Sequence, residues 1–224
     1  MRKIYYTLTA LTLSLTSCND LLDRMPDNRL VIDSPEKVQQ ALTNAYPQIA
    51  TTLINEFSSD NIDDIGADNI YSNFLTRETA YWQPILEYNN VDGLQNIWDY
   101  HYKAIGQANA ALDAIETTLH NDASLNPAKG EALVARAYAH FCLVNLFSQA
   151  YNPNTSSSDL GIPYITRPEE EMNPQRQRGT VAQVYQQIAA DLEKGLPLID
   201  DSYYQMPKYH FNKKAAYAFA ARFF

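Results

Sequence analysis

Apolar positions recur every three or four residues over much of this chain, and that spacing predicts helices. Ser34-Pro35-Glu36 supplies an N-cap, a proline suited to the first helical position and an acid in the first turn. The helix that follows puts Val38, Ala41, Leu42 and Ala45 on one face, and Pro47 should kink or end it. From Asp92 the pattern strengthens. Leu94, Ile97, Trp98, Ile105, Ala108, Leu112, Ile115 and Leu119 keep the period over roughly seven turns, with Asp92 and Gln95 spaced as a capping pair. Asn126-Pro127 opens another helix, with Leu133, Ala137, Phe141, Val144 and Ser148 on one face, and the short link predicts an antiparallel hairpin. Thr180 and Gln183 match a capping box; Val181, Val184, Tyr185, Ile188, Leu192 and Leu196 form the clearest stripe, which Pro197 ends. A last helix begins at Asn212 and runs through Ala215, Ala216, Phe219 and Ala220 to the terminus.

Between these helices, residues 56–91 hold no sustained period and are rich in Asp, Asn and aromatics, which predicts an irregular segment with short helices. Residues 150–179 contain four prolines and the run Ser156-Ser157-Ser158, which predicts a loop. The order helix, helix, loop, helix, helix is a repeated pair. Both second helices carry Ala-x3-Phe, as Ala137 with Phe141 and Ala215 with Phe219, a fragment found in tetratricopeptide helices. The copies lie 78 residues apart, more than twice the usual ~34, so an insertion separates them. The predicted fold class is all-α, with tetratricopeptide-like helix pairs joined by long loops.

The N-terminus has a different pattern. Arg2 and Lys3 precede a mostly apolar run, Ile4 to Leu15, too short to span a bilayer, so residues 1–17 read as a secretory signal. The signal ends Leu15-Thr16-Ser17-Cys18, which resembles the lipobox of bacterial lipoproteins, where the cysteine is lipidated and becomes the first residue. Residues 18–33, polar and carrying Pro26, then read as a lipidated tether, and 34–224 as the helical domain. At the other end the last helix has no C-cap and closes on Phe223-Phe224, which reads as an incomplete version of a longer protein.

Composition narrows the chemistry. Of 224 residues 46% are hydrophobic, enough for a core, while only 7 are glycine, fewer than turn-dense all-β folds need. The formal charge of -9 becomes -11 once Arg2 and Lys3 leave with the signal (15 basic against 26 acidic residues), which disfavours nucleic acid as a partner. With Cys18 in the lipobox, Cys142 has no internal partner and reads as a small buried apolar residue. Asp60, Asp63, Asp64 and Asp68 suggest calcium, but Ile62 and Tyr71 break the EF-hand pattern, and a solvated loop with Asx turns fits better. His101, His120, His140 and His210 form no ligand motif, and the glycines form no phosphate loop. No metal, no cofactor and no catalytic residue is assigned.

Five stretches in order resemble the N-terminal portion of the SusD/RagB family, lipoproteins of the Bacteroidetes outer membrane that work in nutrient uptake. They are Leu15-Thr16-Ser17-Cys18-Asn19-Asp20-Leu21-Leu22-Asp23; Ile97-Trp98 with Tyr102, Ile105, Ala108 and Asn109; and Glu131-Ala132 with Arg136-Ala137-Tyr138-Ala139, Phe141 and Leu143-Val144. The fourth runs from Gly161-Ile162-Pro163 through Arg178-Gly179-Thr180-Val181 to Asp191-Leu192, and the fifth from Asn212-Lys213 to Ala220-Ala221-Arg222. The resemblance implies a non-enzymatic lid over a SusC-type TonB-dependent transporter, anchored outside through Cys18, that captures oligosaccharide, or peptide in the RagB branch, and hands it on. Ser148-Gln149-Ala150-Tyr151 departs from the Gly and Pro many members have after the second helix, and members continue well past this length. The competing reading is a tetratricopeptide-like lipoprotein scaffold that binds protein or peptide without recognising glycan. By the resemblance the irregular segment borders the ligand site. Tyr71, Phe74, Tyr81 and Trp82 lie there as candidate stacking rings, with Asn69, Asn73, Asn89 and Asn90 nearby for hydroxyls.

Overall fold

A computed structural model describes residues 31–66, 74–85, 90–169 and 176–224; the signal segment, Cys18 and Tyr71 lie outside the described residues. From Ile32 onward these belong to one unit. It is all helical, with seven α-helices among the described residues: α1 (Pro35–Thr43), α2 (Thr52–Phe57), α3 (Phe74–Ala80), α4 (Leu94–Glu116), α5 (Asn126–Phe147), α6 (Val181–Gly195) and α7 (Lys213–Phe223).

The caps follow the sequence with one exception. Ser34 Oγ accepts from Lys37 N at 3.3 Å, and α1 stops at Thr43, short of Pro47. Thr180 and Gln183 form the reciprocal capping box of α6, and Asn212 Oδ1 accepts from Ala215 N at 3.0 Å to start α7. The expected Asp92 and Gln95 pair does not form. Gly93 takes the N-cap position of α4 with no side-chain bond, because Asn90 closes the preceding turn: its carbonyl accepts from Gly93 N at 2.9 Å and its Oδ1 from Asp92 N at 3.0 Å. Gln95 turns instead to Asp99. The apolar stripe also outruns the helix: α4 ends at Glu116, and Leu119 packs on the core from outside it.

α5 differs most from its expected single apolar face. It is buried nearly all round, because α4 packs along one side and α6 along another. Close approach to α6 requires glycine on both sides. A Cβ on Gly130 would lie 2.8 Å from Gly195 O, and one on Gly195 2.9 Å from Gly130 O. Ala137 is likewise fully buried. In α7 the small buried residues are Ala216 and Ala220, while Ala215 is exposed, so the second Ala-x3-Phe match does not mark a close contact. Phe219 of α7 sits against Tyr138 and Phe141 of α5, with ring centroids 5.3 Å and 5.5 Å apart. Cys142 is half-buried rather than enclosed, and burial raises its thiol above its usual range.

Polar residues interrupt the core at chosen points. Arg136 of α5 grips Asp191 of α6 through two 2.7 Å bonds, both side chains buried. Glu131 of α5, fully buried, accepts from the Tyr46 hydroxyl and bonds His210 Nδ1 at 2.8 Å, tying the segment after α1 and the segment before α7 to the central helix. A second, smaller core of Ile54, Leu75 and Ile97 joins α2 and α3 to the start of α4. It carries the candidate site.

Candidate functional site

α3 buries Leu75 and Thr79 and turns its opposite side outward. The Thr79 hydroxyl donates to Leu75 O at 2.7 Å, which removes its one spare polar group from the small core. Phe74 begins the helix and Tyr81 follows its last turn, seven residues on, so the two share a face about 10 Å apart along the axis. Both rings are outside the core, at 63% and 55% exposure, and Trp82 is at 79%. Arg77 lies on the same face with its guanidinium 4.9 Å from the Phe74 ring centroid. Single exposed aromatics need no explanation, but three within nine residues do.

The backbone at Trp82 is distinctive. Its φ is 52°, in the left-handed region where a bulky residue is strained. Trp82 N donates to Thr79 O at 3.1 Å and Gln83 N to Glu78 O at 2.8 Å, the two bonds of a Schellman motif in which Trp82 holds the position usually given to glycine. Pro84 follows and prevents the helix from resuming. The strain is therefore imposed by the helix ending, and the indole it presents is left to solvent.

Tyr81 is held differently. Its hydroxyl donates to Asp64 Oδ2, whose Oδ1 accepts from Gly66 N at 2.7 Å. The bond to the carboxylate raises the phenol above its usual range, and the phenol in turn lowers Asp64 below the usual carboxylate range. Asp64 thus stays ionised as an acceptor and the ring is fixed at its edge, leaving a face free. The Asp64 bond to Gly66 N is an Asx turn of the kind expected from the sequence, and the pairing with Tyr81 spends the other carboxylate oxygen on positioning. Among the described residues no group of His, Cys, Asp and Glu gathers with metal-binding geometry.

The structure brings Phe74, Tyr81 and Trp82 together around one short helix. Tyr71, Asn69, Asn73 and Asn89 lie outside the described residues. Asn90 has its side-chain oxygen and its carbonyl engaged in closing the turn before α4. Arg77 was missed, and its signal was its place between Phe74 and Tyr81 on one helical face. Asn109, Arg136 and Asp191 stand among the family-like motif positions and His140 among the scattered histidines, but their joint contact is not legible from either. The sign available was a polar residue within each apolar stripe.

The helical fold is matched by known proteins. Residues 20–224 match the SusD-like family, described as starch-binding and associating with the outer membrane, and the chain belongs to that family. A SusD superfamily protein from Bacteroides thetaiotaomicron VPI-5482 superposes with a TM-score of 0.64 at 24% identity, covering 84% of this chain and 41% of that one. One from Bacteroides fragilis gives 0.67 at 22%, covering 87% and 46%. A laminarin-binding SusD-like protein gives 0.61 at 18%, covering 85% and 40%. These identities show the fold. The chain spans less than half the length of each. No curated protein sequence matches it.

Proposed function

We propose that this chain belongs to a glycan-capturing lipoprotein of the outer membrane, anchored through Cys18 and facing outward, that delivers oligosaccharide to a SusC-type TonB-dependent transporter without chemistry on the ligand. The observation that carries the reading is Trp82: an indole at 79% exposure, in a backbone conformation that favours glycine, is a costly arrangement for the fold alone. Flat rings offer apolar faces to the axial C–H faces of pyranose rings, and Phe74 and Tyr81 add two more about 10 Å apart. The rings are largely preset, so ordering costs are small, but the area they bury is also small, and weak affinity follows.

Calorimetric titration of the mature protein with maltoheptaose, and separately with a laminarin oligosaccharide, tests this. Heat of binding with one of them is expected, and its loss in Trp82→Ala with the circular dichroism spectrum retained. A folded Trp82→Ala protein that binds as well as the parent would remove Trp82 from the site. Delivery is tested by co-purification with a TonB-dependent transporter of the same cell, and the anchor by detergent phase partitioning.

A further inference from the structure

The segment after the long loop, Leu160 to Arg167, is extended, yet no sheet receives it. Its one bridge is Leu160 with Thr180, where Gly161 N donates to Gly179 O at 2.8 Å. Its carbonyls are taken up by side chains. Arg178 donates to Leu160 O and Gly161 O; Tyr102 of α4 donates to Pro163 O at 2.8 Å; Asn109 of α4 donates to Ile165 O at 3.0 Å and Arg167 O at 3.4 Å; and Arg136 of α5 donates to Thr166 O at 3.2 Å. Six of the eight carbonyls thus have a side-chain donor. In the opposite sense Ile165 N donates to His140 Nε2 at 3.1 Å, which requires His140 to be neutral and to donate Nδ1–H to Arg136 O.

The readers are themselves fixed. Arg136 Nη1 donates to Asn109 Oδ1 at 2.8 Å, which orients that amide so that its Nδ2 faces the segment. Asp191 holds the other side of the Arg136 fork and accepts from Tyr164 Oη of the segment at 2.7 Å, and the Tyr164 ring stacks on His140 at 3.8 Å. Ile162 and Ile165 are buried in the main core, and a Cβ at Gly161 would lie 2.8 Å from Val184 Cγ2. An amide, a guanidinium, a phenol and an imidazole aimed at main-chain atoms make a sequence-tolerant grip on extended chain, and the two isoleucines set its register. A strand in a sheet would need none of them.

We infer that the groove formed by α4, α5 and α6 is a reader of extended peptide backbone whose ligand is the chain's own segment 160–167, so that this face is closed to outside peptides while the segment is seated. The proposal is independent of glycan capture. It bears on the competing scaffold reading, because the groove such a scaffold would offer to a partner is filled in cis.

The test uses a full chain in which residues 160–167 are replaced by a Gly-Ser linker of equal length, and a fluorescein-labelled peptide spanning Asp159 to Pro168. The parent protein is expected not to bind the peptide, whereas the linker variant binds it and regains thermal stability on its addition. Asn109→Ala in the linker background should weaken binding about tenfold, the scale of one or two buried hydrogen bonds. A folded linker variant that ignores the peptide, or a parent protein that binds it equally well, overturns the proposal. In parallel, chymotryptic cleavage after Tyr164 is followed in the parent, Tyr102→Phe and Asn109→Ala chains at equal helical content. Faster cleavage in both variants supports the grip whether or not the linker variant folds, and unchanged rates overturn it.

Discussion

Trp82→Gly and Trp82→Ala remove the same ring and differ only in a Cβ at a residue whose φ is 52°. At 79% exposure about a fifth of the residue is covered. On a tryptophan that buries up to ~250 Å² that is ~50 Å², or about 1 kcal/mol at ~25 cal/mol per Å². Both variants lose this amount, far less than the 3 to 5 kcal/mol of a buried tryptophan truncated to alanine. They then separate. Alanine keeps the left-handed cost of ~1–2 kcal/mol, which glycine escapes, while glycine's freer unfolded chain returns ~0.4–1 kcal/mol. Trp82→Gly should therefore exceed Trp82→Ala by about 0.5–1 kcal/mol, the reverse of their order inside a helix. Guanidinium unfolding at equal m-value reads the difference, equivalent to roughly 1 to 4 °C in Tm for a domain of this size. On the glycan-capture reading both variants lose oligosaccharide binding while glycine stays close to parental stability. Alanine as stable as glycine would show that the helix ending does not hold Trp82 left-handed. A loss above ~3 kcal/mol in both would make the ring a packing residue.

Burial pushes His140 down to about 3 from its ordinary 6.5, so the unfolded chain binds a proton there that the folded chain refuses. Stability from this residue is complete above pH ~6.5 and falls on acidification towards about 3 with a limiting slope of ~1.4 kcal/mol per unit. The difference between the pH profiles of the parent and His140→Gln isolates it, and parallel profiles would contradict it. Gly130→Ala should cost ~1 to 3 kcal/mol by urea unfolding, because its Cβ would lie 2.8 Å from both Gly195 O and Leu198 Cβ. Ala137→Leu should cost a similar amount through overpacking of a fully buried site, seen as a lowered Tm. Cys18→Ser should leave an unacylated precursor that no longer enters the detergent phase, whereas unchanged partitioning would refute the anchor.

Local rules gave the helices and most of their ends. Ser34, Thr180 and Asn212 cap because a side-chain oxygen three residues before an unpaired N–H acts within one turn and needs no distant partner. The Asp92 cap failed because Asn90, two residues earlier, closed a competing turn, a contest that spacing does not rank. Helical period also misjudged α5. A stripe marks one buried face, but the helix lies between two neighbours, and which helices flank it is a property of the assembled fold. The candidate rings were legible as aromatics in a segment without periodicity. That Trp82 would occupy a left-handed helix ending, and that Tyr81 would spend its proton on Asp64, required the backbone path of α3 over its small core. The grip on residues 160–167 was least visible: Asn109, Arg136, His140 and Asp191 come from three helices, and only packing gives them a common direction. Sequence determined which segments are helical and which residues are unusual within them, since those depend on contacts a few residues apart. Tertiary structure decided what the unusual residues face, since an unpaired buried polar group is satisfied by whichever partner packing brings within reach.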